Sequence, residues 1–233
     1  MPDQPYFAER QTEYWTSREI DTFFLDTQWD VITFPLTQKT ETQLPADFVF
    51  LDKTRTKIFG AQYKTLYHNA ADHWKLDKTQ HARLRKRSWM FYFVSELQQA
   101  NQHRGALHYT RIYKPDFRYR EKLFLHQKPN IQQPGYMRWR AFFEGFKRCD
   151  FGVVVKDKTE LEKLLREHTP RKFYDCDIKR IIDVFVCNLE KRRVLHITGV
   201  SEENFRPDEK TLAEDDPYTA DYRDVPNDPK DKE

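Results

Sequence analysis

The chain has 233 residues, enough for one sizeable domain or two small ones but not for two full enzyme domains. Hydrophobic residues make up 38%, charged residues 33% and aromatic residues 15%, so we expect a folded protein with a core rich in Phe, Tyr and Trp. The net charge is +3, and 6 Gly without a GxGxxG or GxxxxGK[ST] loop exclude the usual Rossmann dehydrogenases and P-loop NTPases.

The N-terminal third predicts a helix followed by three strands. Residues 7–28 form one helix or two, because Ile20, Phe23 and Phe24 have the i, i+3, i+4 spacing of a buried helical stripe. Residues 31–36 predict a strand. Residues 47–51 and 57–64 are rich in Phe and β-branched side chains and are separated by a polar turn, which predicts an antiparallel hairpin.

The middle of the chain predicts the centre of a sheet. Residues 88–97 are apolar without alternation, as expected for a central strand buried on both faces. Residues 106–113 and 122–126 predict further strands. An aromatic stripe on one predicted helical face is more typical of a core than of a base-stacking platform, and it consists of Trp139, Phe142, Phe143 and Phe146.

The C-terminal part predicts a short helix, two strands and a tail. Thr159 and Glu162 match a capping box that would open the helix, and residues 181–186 and 193–200 predict strands that close the fold. Residues 201–233 are dominated by Pro, Asp, Glu and Lys, which predicts disorder. We therefore expect a mixed α/β domain at residues 1–200, with a central sheet flanked by helices, and an acidic tail at 201–233.

The apolar runs and the cysteines bear on the cellular setting. The longest uninterrupted apolar run is far shorter than the roughly 20 residues of a membrane span, so we expect a soluble, cytoplasmic protein. The cysteines are Cys149, Cys176 and Cys187, without a CxxC pair. We expect them to be reduced and structural rather than disulfide-bonded or zinc-binding.

The basic side chains are unevenly distributed. Residues 201–233 contain 5 basic and 12 acidic residues, so residues 1–200 carry an excess of about ten positive charges. Basic clusters interleaved with aromatic residues are typical of a surface that binds nucleic acid, and the candidates are Arg83, Arg85, Lys86, Arg87, Arg138 and Arg140. The alternative is a set of ordinary solvated faces whose charge the acidic tail balances.

Three polar residues of the predicted hairpin indicate a candidate catalytic site. Gln62 and Lys64 are two positions apart in a strand and therefore share a face, and the hairpin can bring Asp47 beside them. Carboxylate and amide oxygens suit Mg²⁺, and an ammonium can position water and stabilise charge on a phosphate. We expect a solvent-facing site that hydrolyses phosphodiesters.

The segments PADFVF and FGAQYK resemble the motif of the restriction-endonuclease-like PD-(D/E)xK nuclease superfamily. The glutamine replaces the commoner acid, as in the Mrr-like branch, which should weaken metal binding. The resemblance covers residues 18–97. It implies that Asp47, Gln62 and the main-chain carbonyl of Tyr63 bind Mg²⁺, with Mn²⁺ as a substitute, and that Lys64 is catalytic.

The same family often adds an acid from its first helix. Glu19 has suitable spacing for this catalytic role, and Glu13 is the competing candidate. A structural alternative exists, because Thr16 and Glu19 match a capping box. His68 and His73 follow the QxK strand and are candidates for phosphate contact or for an accessory base, although such histidines are more often structural.

These patterns predict a Mg²⁺-dependent nuclease that acts on nucleic acid, with DNA favoured over RNA as the substrate, and without a membrane association. The family resemblance implies a role in restriction, phage defence or DNA processing, with a homodimer or a defence-system protein as partner. The alternative is a catalytically inactive nucleic-acid-binding or interaction module on the same fold, with its metal site disabled by the glutamine.

Overall fold

The structure is a computed structural model that describes residues 3–37, 40, 44–54, 56–126, 132–166 and 176–197. Contacts between residues divide the chain into one unit of residues 1–191 and a second unit of residues 192–233. Every strand among the described residues belongs to the first unit. The tail predicted at residues 201–233 lies outside the described residues.

Ten strands and five helices are described in the chain. In chain order they are β1 (Gln4–Pro5), α1 (Glu9–Asp26), β2 (Val31–Pro35), β3 (Phe48–Asp52), β4 (Lys57–Lys64), β5 (Leu66–His68), β6 (His73–Lys75), α2 (Lys78–Leu84), β7 (Met90–Ser95), β8 (Thr110–Tyr113), β9 (Lys122–Phe124), α3 (Trp139–Lys147), β10 (Val153–Val154), α4 (Lys158–Arg166) and α5 (Cys176–Ile197). A 3₁₀ helix, Ala100–Gly105, precedes β8.

The main sheet has the strand order β2-β3-β4-β7-β8, and β10 also pairs with β4. The pair β4–β7 is parallel and the other neighbours are antiparallel, so the sheet is mixed and the predicted fold class is confirmed. The predicted hairpin is confirmed too, with Phe48 opposite Ala61. The predicted central strand is β7, which lies between β4 and β8.

One face of the main sheet is covered by α1 and α3. Alternate residues of neighbouring strands share a face, and on this face they are aromatic: the Phe50 and Phe59 rings stack with centroids 4.5 Å apart. Phe142 of α3 packs edge-on against Phe59. The aromatic stripe of α3 is therefore core, as its helical spacing predicts.

The opposite face is aliphatic and is covered by α4, α5 and a second sheet. Ile58, Met90 and Val94 of the strands belong to the same buried cluster as Leu161 of α4 and Trp74 of the second sheet. The second sheet has the antiparallel order β1-β5-β6-β9, and its strand β5 follows β4 after the single residue Thr65.

The strand predicted at residues 106–113 is shorter in the structure and begins at Thr110. Ala106 and Leu107 are buried in the preceding turn, where the Thr110 hydroxyl donates to the Ala106 carbonyl. The strand predicted at residues 122–126 is β9, which belongs to the second sheet.

The two strands predicted at residues 181–186 and 193–200 are wrong, because Cys176–Ile197 forms the single helix α5. Among residues 176–190 of this helix, the buried ones have helical spacing, and they are Ile178, Ile181, Ile182 and Phe185. The run IIDVFV is interrupted only by Asp183 and is rich in β-branched residues, which conceals that period. Residues 198–200 lie outside the described residues.

Three smaller predictions need comment. The capping box predicted at Thr159 and Glu162 is wrong, because α4 already begins at Lys158. Instead, the Asp157 carboxylate accepts from the Glu160 N–H, and the Glu160 carboxylate accepts from the Lys156 N–H. The cysteines are free, as expected, but exposed, so they do not support the core. None of the helices in the described ranges is both long enough and apolar enough to cross a membrane.

Gly60 allows β4 to pack closely against the side chains of Met90 and Trp89. A Cβ at this position would lie 2.8 Å from the Met90 sulfur and 3.1 Å from a Trp89 ring carbon, and both residues are fully buried. Gly60→Ala is therefore expected to lower the free energy of unfolding by about 1–3 kcal/mol, measured by urea denaturation. Gly135→Ala is the control, because a Cβ there meets no atom within 4 Å. Equal stability of the two variants would contradict the close packing.

Candidate active site

Asp47 immediately precedes β3, and its backbone continues the pairing of the sheet. Its N–H donates to the Ala61 carbonyl at 2.9 Å, and its carbonyl accepts from the Leu36 N–H at 2.8 Å. This pairing places the Asp47 side chain next to Gln62 of β4. Asp47 is only 6% exposed and Gln62 only 2%, so the expectation that these two residues face solvent is wrong.

The Asp47 carboxylate accepts hydrogen bonds from two consecutive residues of β4. The Gln62 side-chain nitrogen lies 2.9 Å from Oδ1 and 2.7 Å from Oδ2, and the Tyr63 backbone N–H donates to Oδ2 at 2.5 Å. The structure therefore brings Asp47 and Gln62 into direct contact. Charge-assisted hydrogen bonds of this kind fix the orientation of a carboxylate.

The nitrogen of the Gln62 amide forms hydrogen bonds, but its oxygen forms none within the described part of the chain. The nitrogen contacts both Asp47 oxygens and lies 3.4 Å from the Tyr63 carbonyl oxygen, whereas the amide oxygen is buried. A buried polar atom without a partner typically costs about 1–3 kcal/mol. The amide nitrogen thus stands at a point on which oxygens of Asp47 and Tyr63 converge.

This donor set fits a hard cation. If the amide turns by 180°, the Gln62 oxygen joins the Asp47 carboxylate and the Tyr63 carbonyl around one point, and all three are oxygen ligands of the kind that Mg²⁺ prefers. No group of three or more His, Cys, Asp or Glu side chains suited to a metal occurs among the described residues. A cation at this site would therefore rely on the amide and the main-chain oxygen as well as on Asp47.

Lys64 shares a strand face with Gln62 and lies nearer to solvent. Its ammonium forms an ion pair with the Glu9 carboxylate at 2.8 Å, and the exposed fractions of the two side chains are 15% and 38%. Glu9 is the first residue of α1. The pair holds the ammonium at the end of β4, two positions beyond Gln62.

Glu9 is a residue that sequence reasoning missed. The prediction placed the helix acid at Glu19, with Glu13 as the alternative, because the apolar stripe of α1 begins at Ile20. The only signal for Glu9 is its position in the first turn of the helix, where an acid is favoured by the helix dipole and needs no functional explanation.

Glu19 itself contacts the turn before β8. Its carboxylate accepts from the Leu107 N–H at 2.7 Å, and burial raises the pKa of Glu19 above its usual value, against the lowering effect of the backbone hydrogen bonds. Asp47, Gln62 and Lys64 are not among its hydrogen-bond partners. The capping-box alternative is wrong as well, since Thr16 lies well inside α1.

Glu13 lies close enough to Tyr63 to act electrostatically on its phenol. Burial raises the pKa of the Tyr63 phenol, the Ser17 hydroxyl bonded to it opposes the shift, and the carboxylates of Asp47 and Glu13 increase it. The Tyr63 side chain points to the aromatic face of the sheet, opposite to Gln62 and Lys64.

The predicted nucleic-acid-binding residues fall into two groups. Arg83, Arg85, Lys86 and Arg140 are exposed. The prediction for Arg87 is wrong: its side chain is buried, and its guanidinium donates to the Arg83 carbonyl at 3.1 Å, where it satisfies the C-terminal turn of α2. Arg138 is half-buried, and its guanidinium binds the Glu96 carboxylate at 2.8 Å and the His108 carbonyl at 3.1 Å.

Comparisons with protein-family models, with curated proteins and with solved structures gave no match to this chain.

Proposed function

We propose that this protein is a Mg²⁺-dependent nuclease that hydrolyses phosphodiester bonds in DNA. One observation carries the proposal: the Asp47 carboxylate and the Tyr63 carbonyl converge on the Gln62 amide, whose oxygen is buried without a partner. Lys64 follows two positions later on the same strand face. The motif resemblance to PD-(D/E)xK nucleases supports the same reading.

The residues have separate roles in this proposal. Asp47, Gln62 and the Tyr63 carbonyl would hold Mg²⁺, or Mn²⁺ in its place. The bound cation would polarise the phosphate and lower the pKa of a water molecule. The Lys64 ammonium orients the attacking water and stabilises the charge that develops on the phosphate oxygens. Glu9 acts as a positioning residue, because its carboxylate fixes the Lys64 ammonium.

The surface charge supports a nucleic-acid substrate. Residues 1–200 carry an excess of about ten positive charges, and Arg83, Arg85, Lys86 and Arg140 are exposed. We further propose that the protein acts in the cytoplasm in restriction, phage defence or DNA processing, as a homodimer or with a defence-system partner. This setting follows from the motif resemblance alone.

A second candidate is a nucleic-acid-binding or interaction module without catalysis. The observation that favours it is the glutamine at position 62, which replaces the commoner acid of the family and donates directly to Asp47. The site then holds one carboxylate where two would bind a cation more tightly. Calorimetric titration with Mg²⁺ separates the candidates, since the module predicts no binding that depends on Asp47.

The direct test is incubation of the purified protein with plasmid, linear DNA, single-stranded DNA and RNA in Mg²⁺, Mn²⁺ or EDTA. The proposal predicts cleavage of DNA with either cation and none in EDTA. Intact substrates under all conditions, together with nucleic-acid binding, would favour the module.

Gln62→Glu is expected to lower the Mg²⁺ concentration needed for half-maximal cleavage by about tenfold, because a second carboxylate strengthens a hard-cation site. Without Mg²⁺ the same change places two acids side by side, so the thermal midpoint in EDTA should fall and recover when Mg²⁺ is added. Gln132→Glu makes the same change at an exposed position and is the control. A folded variant that neither cleaves DNA nor gains stability from Mg²⁺ would contradict the assigned role of Gln62.

A further inference from the structure

Residues 3–9 form an N-terminal strap that runs antiparallel to residues 64–69. At one end of the strap Glu9 pairs with Lys64, and at the other Asp3 binds Asn69. Between these ends the Phe7 carbonyl accepts from the Thr65 hydroxyl, and the Tyr6 N–H donates to the Leu66 carbonyl. Gln4 lies opposite His68. Each end of the strap therefore carries a carboxylate, and the Glu9 end neutralises Lys64.

The carboxylate of Asp3 is surrounded by four nitrogen groups. The Asn69 amide lies 2.5 Å from Oδ1, while the ammonium groups of Lys122 and Lys75 lie 3.1 Å and 3.2 Å from Oδ2. The His73 Nε2 atom is 3.4 Å from Oδ2. The Asn69 hydrogen bond and then Lys122 lower the pKa of Asp3, so this carboxylate is ionised at neutral pH.

The donors around Asp3 are built into the second sheet. His73 and Lys75 belong to β6, and Lys122 to its neighbour β9, so the sheet fixes their spacing. His73 is 1% exposed, and its Nε2 atom is buried without a hydrogen bond in the described part of the chain. The Lys75 ammonium also lies over the Tyr67 ring, 4.3 Å from its centroid. Two lysines face one carboxylate, so the cluster keeps a positive charge.

A cluster of ammonium and amide donors around one point is suited to bind a phosphate group. Convergent ammonium and amide donors of this kind bind the oxygens of a nucleic-acid backbone without reading its sequence. Asn69 follows Lys64 by five residues, and the segment between them pairs with the strap, so it forms a path from Lys64 to the Asp3 cluster. Glu9 holds Lys64 at one end of this path, and Asp3 covers Lys75 and Lys122 at the other.

We propose that Asn69, His73, Lys75 and Lys122 form a second phosphate subsite for the nucleic-acid backbone, and that Asp3 occupies it until nucleic acid displaces the start of the strap. This inference rests on the proposed function, because it takes Lys64 as the reacting end of the path. Asp3 then acts as a built-in competitor whose carboxylate stands where a backbone phosphate binds.

Binding without cleavage tests the subsite. All proteins carry Asp47→Asn and are assayed in EDTA by fluorescence anisotropy with a labelled 12-nucleotide single-stranded DNA over a series of salt concentrations. Asp3→Ala is expected to tighten binding about tenfold and to steepen the logarithmic salt dependence by about 0.7, the effect of one further phosphate contact. Adding Lys75→Met and Lys122→Met to Asp3→Ala should abolish both gains.

Two variants control for charge and for folding. Asp30→Ala removes the same charge from an ion pair with Lys53 and is expected to change the affinity less than twofold. Asp3→Asn removes the charge but keeps the side-chain size, so it replaces Asp3→Ala if that variant loses its thermal transition. A gain no larger than that of Asp30→Ala, or one that persists without the two lysines, would overturn the subsite.

The two proposals fail in different ways. Cleavage by the unaltered protein without a specific gain in Asp3→Ala removes the subsite and leaves the nuclease. A specific gain in a protein that never cleaves DNA supports the subsite as a nucleic-acid contact and removes the nuclease. Calorimetric binding of inorganic phosphate to Asp3→Ala without tighter oligonucleotide binding would overturn the subsite as a backbone contact.

Discussion

Asp47→Asn is expected to reduce Mg²⁺-dependent DNA cleavage on the order of 10³-fold while the protein remains folded. Asp47 supplies the formal negative charge of the proposed cation site, and Gln62 and the Tyr63 carbonyl are neutral. Asparagine keeps the size of the side chain and an oxygen that can accept from the Tyr63 N–H. The measurements are the single-turnover cleavage rate and calorimetric titration with Mg²⁺, which should show lost binding.

Asp52→Asn is the matched control for Asp47→Asn. Asp52 is a buried aspartate at the other end of β3, where its carboxylate accepts from the Thr54 N–H at 2.9 Å. This variant should keep both Mg²⁺ binding and cleavage. If Asp47→Asn cleaves DNA as fast as Asp52→Asn, the proposed site is wrong.

Lys64→Met is expected to reduce cleavage by about 10²- to 10³-fold without a comparable loss of Mg²⁺ binding. Methionine keeps an apolar stem of similar length but removes the ammonium that orients water and stabilises the phosphate. Glu9 loses its partner, but its side chain is 38% exposed and water can solvate it, so the thermal midpoint should change little. Calorimetry with Mg²⁺ and the cleavage rate are measured on the same preparation.

Lys53→Met provides the corresponding control, because Lys53 also forms an ion pair at the end of a strand, with Asp30. It should leave cleavage unchanged. The two site variants are then distinguished by their Mg²⁺ isotherms: flat for Asp47→Asn and normal for Lys64→Met. Undiminished activity in Lys64→Met would remove Lys64 from the mechanism and leave the cation site to be judged on Asp47.

The parts of the fold that sequence reasoning predicted well are specified locally. The β3–β4 hairpin has dense Phe and β-branched runs on either side of a short polar turn, and its pairing brings Asp47 to Gln62 across only 15 positions. The α3 stripe repeats Phe at helical spacing, which leaves one face for burial. In these segments local pattern and tertiary packing agree.

The predictions that failed involve long-range contacts or an ambiguous period. Glu9 meets Lys64 across 55 positions, and its local sequence looks like an ordinary helix start. Arg87 lies in a basic run that resembles a surface, yet the turn after α2 buries its guanidinium against the Arg83 carbonyl. Helix α5 contains the run IIDVFV, which is apolar except for Asp183. Its short length and its β-branched residues favour a strand, and only the packing of Ile178 and Phe185 in the core shows the helix.

The parallel pairing of β4 with β7 has a consequence for the order of folding. The hairpin that joins Asp47 to Gln62 closes a short loop. The pairing of β7 with β4 closes a longer one, which contains the whole segment from Thr65 to Trp89. Contacts with small sequence separation form faster, because less chain entropy is lost on closing them. The carboxylate and amide of the site should therefore meet early in folding, while the ion pair between Lys64 and Glu9 forms only when the two ends of a long segment come together.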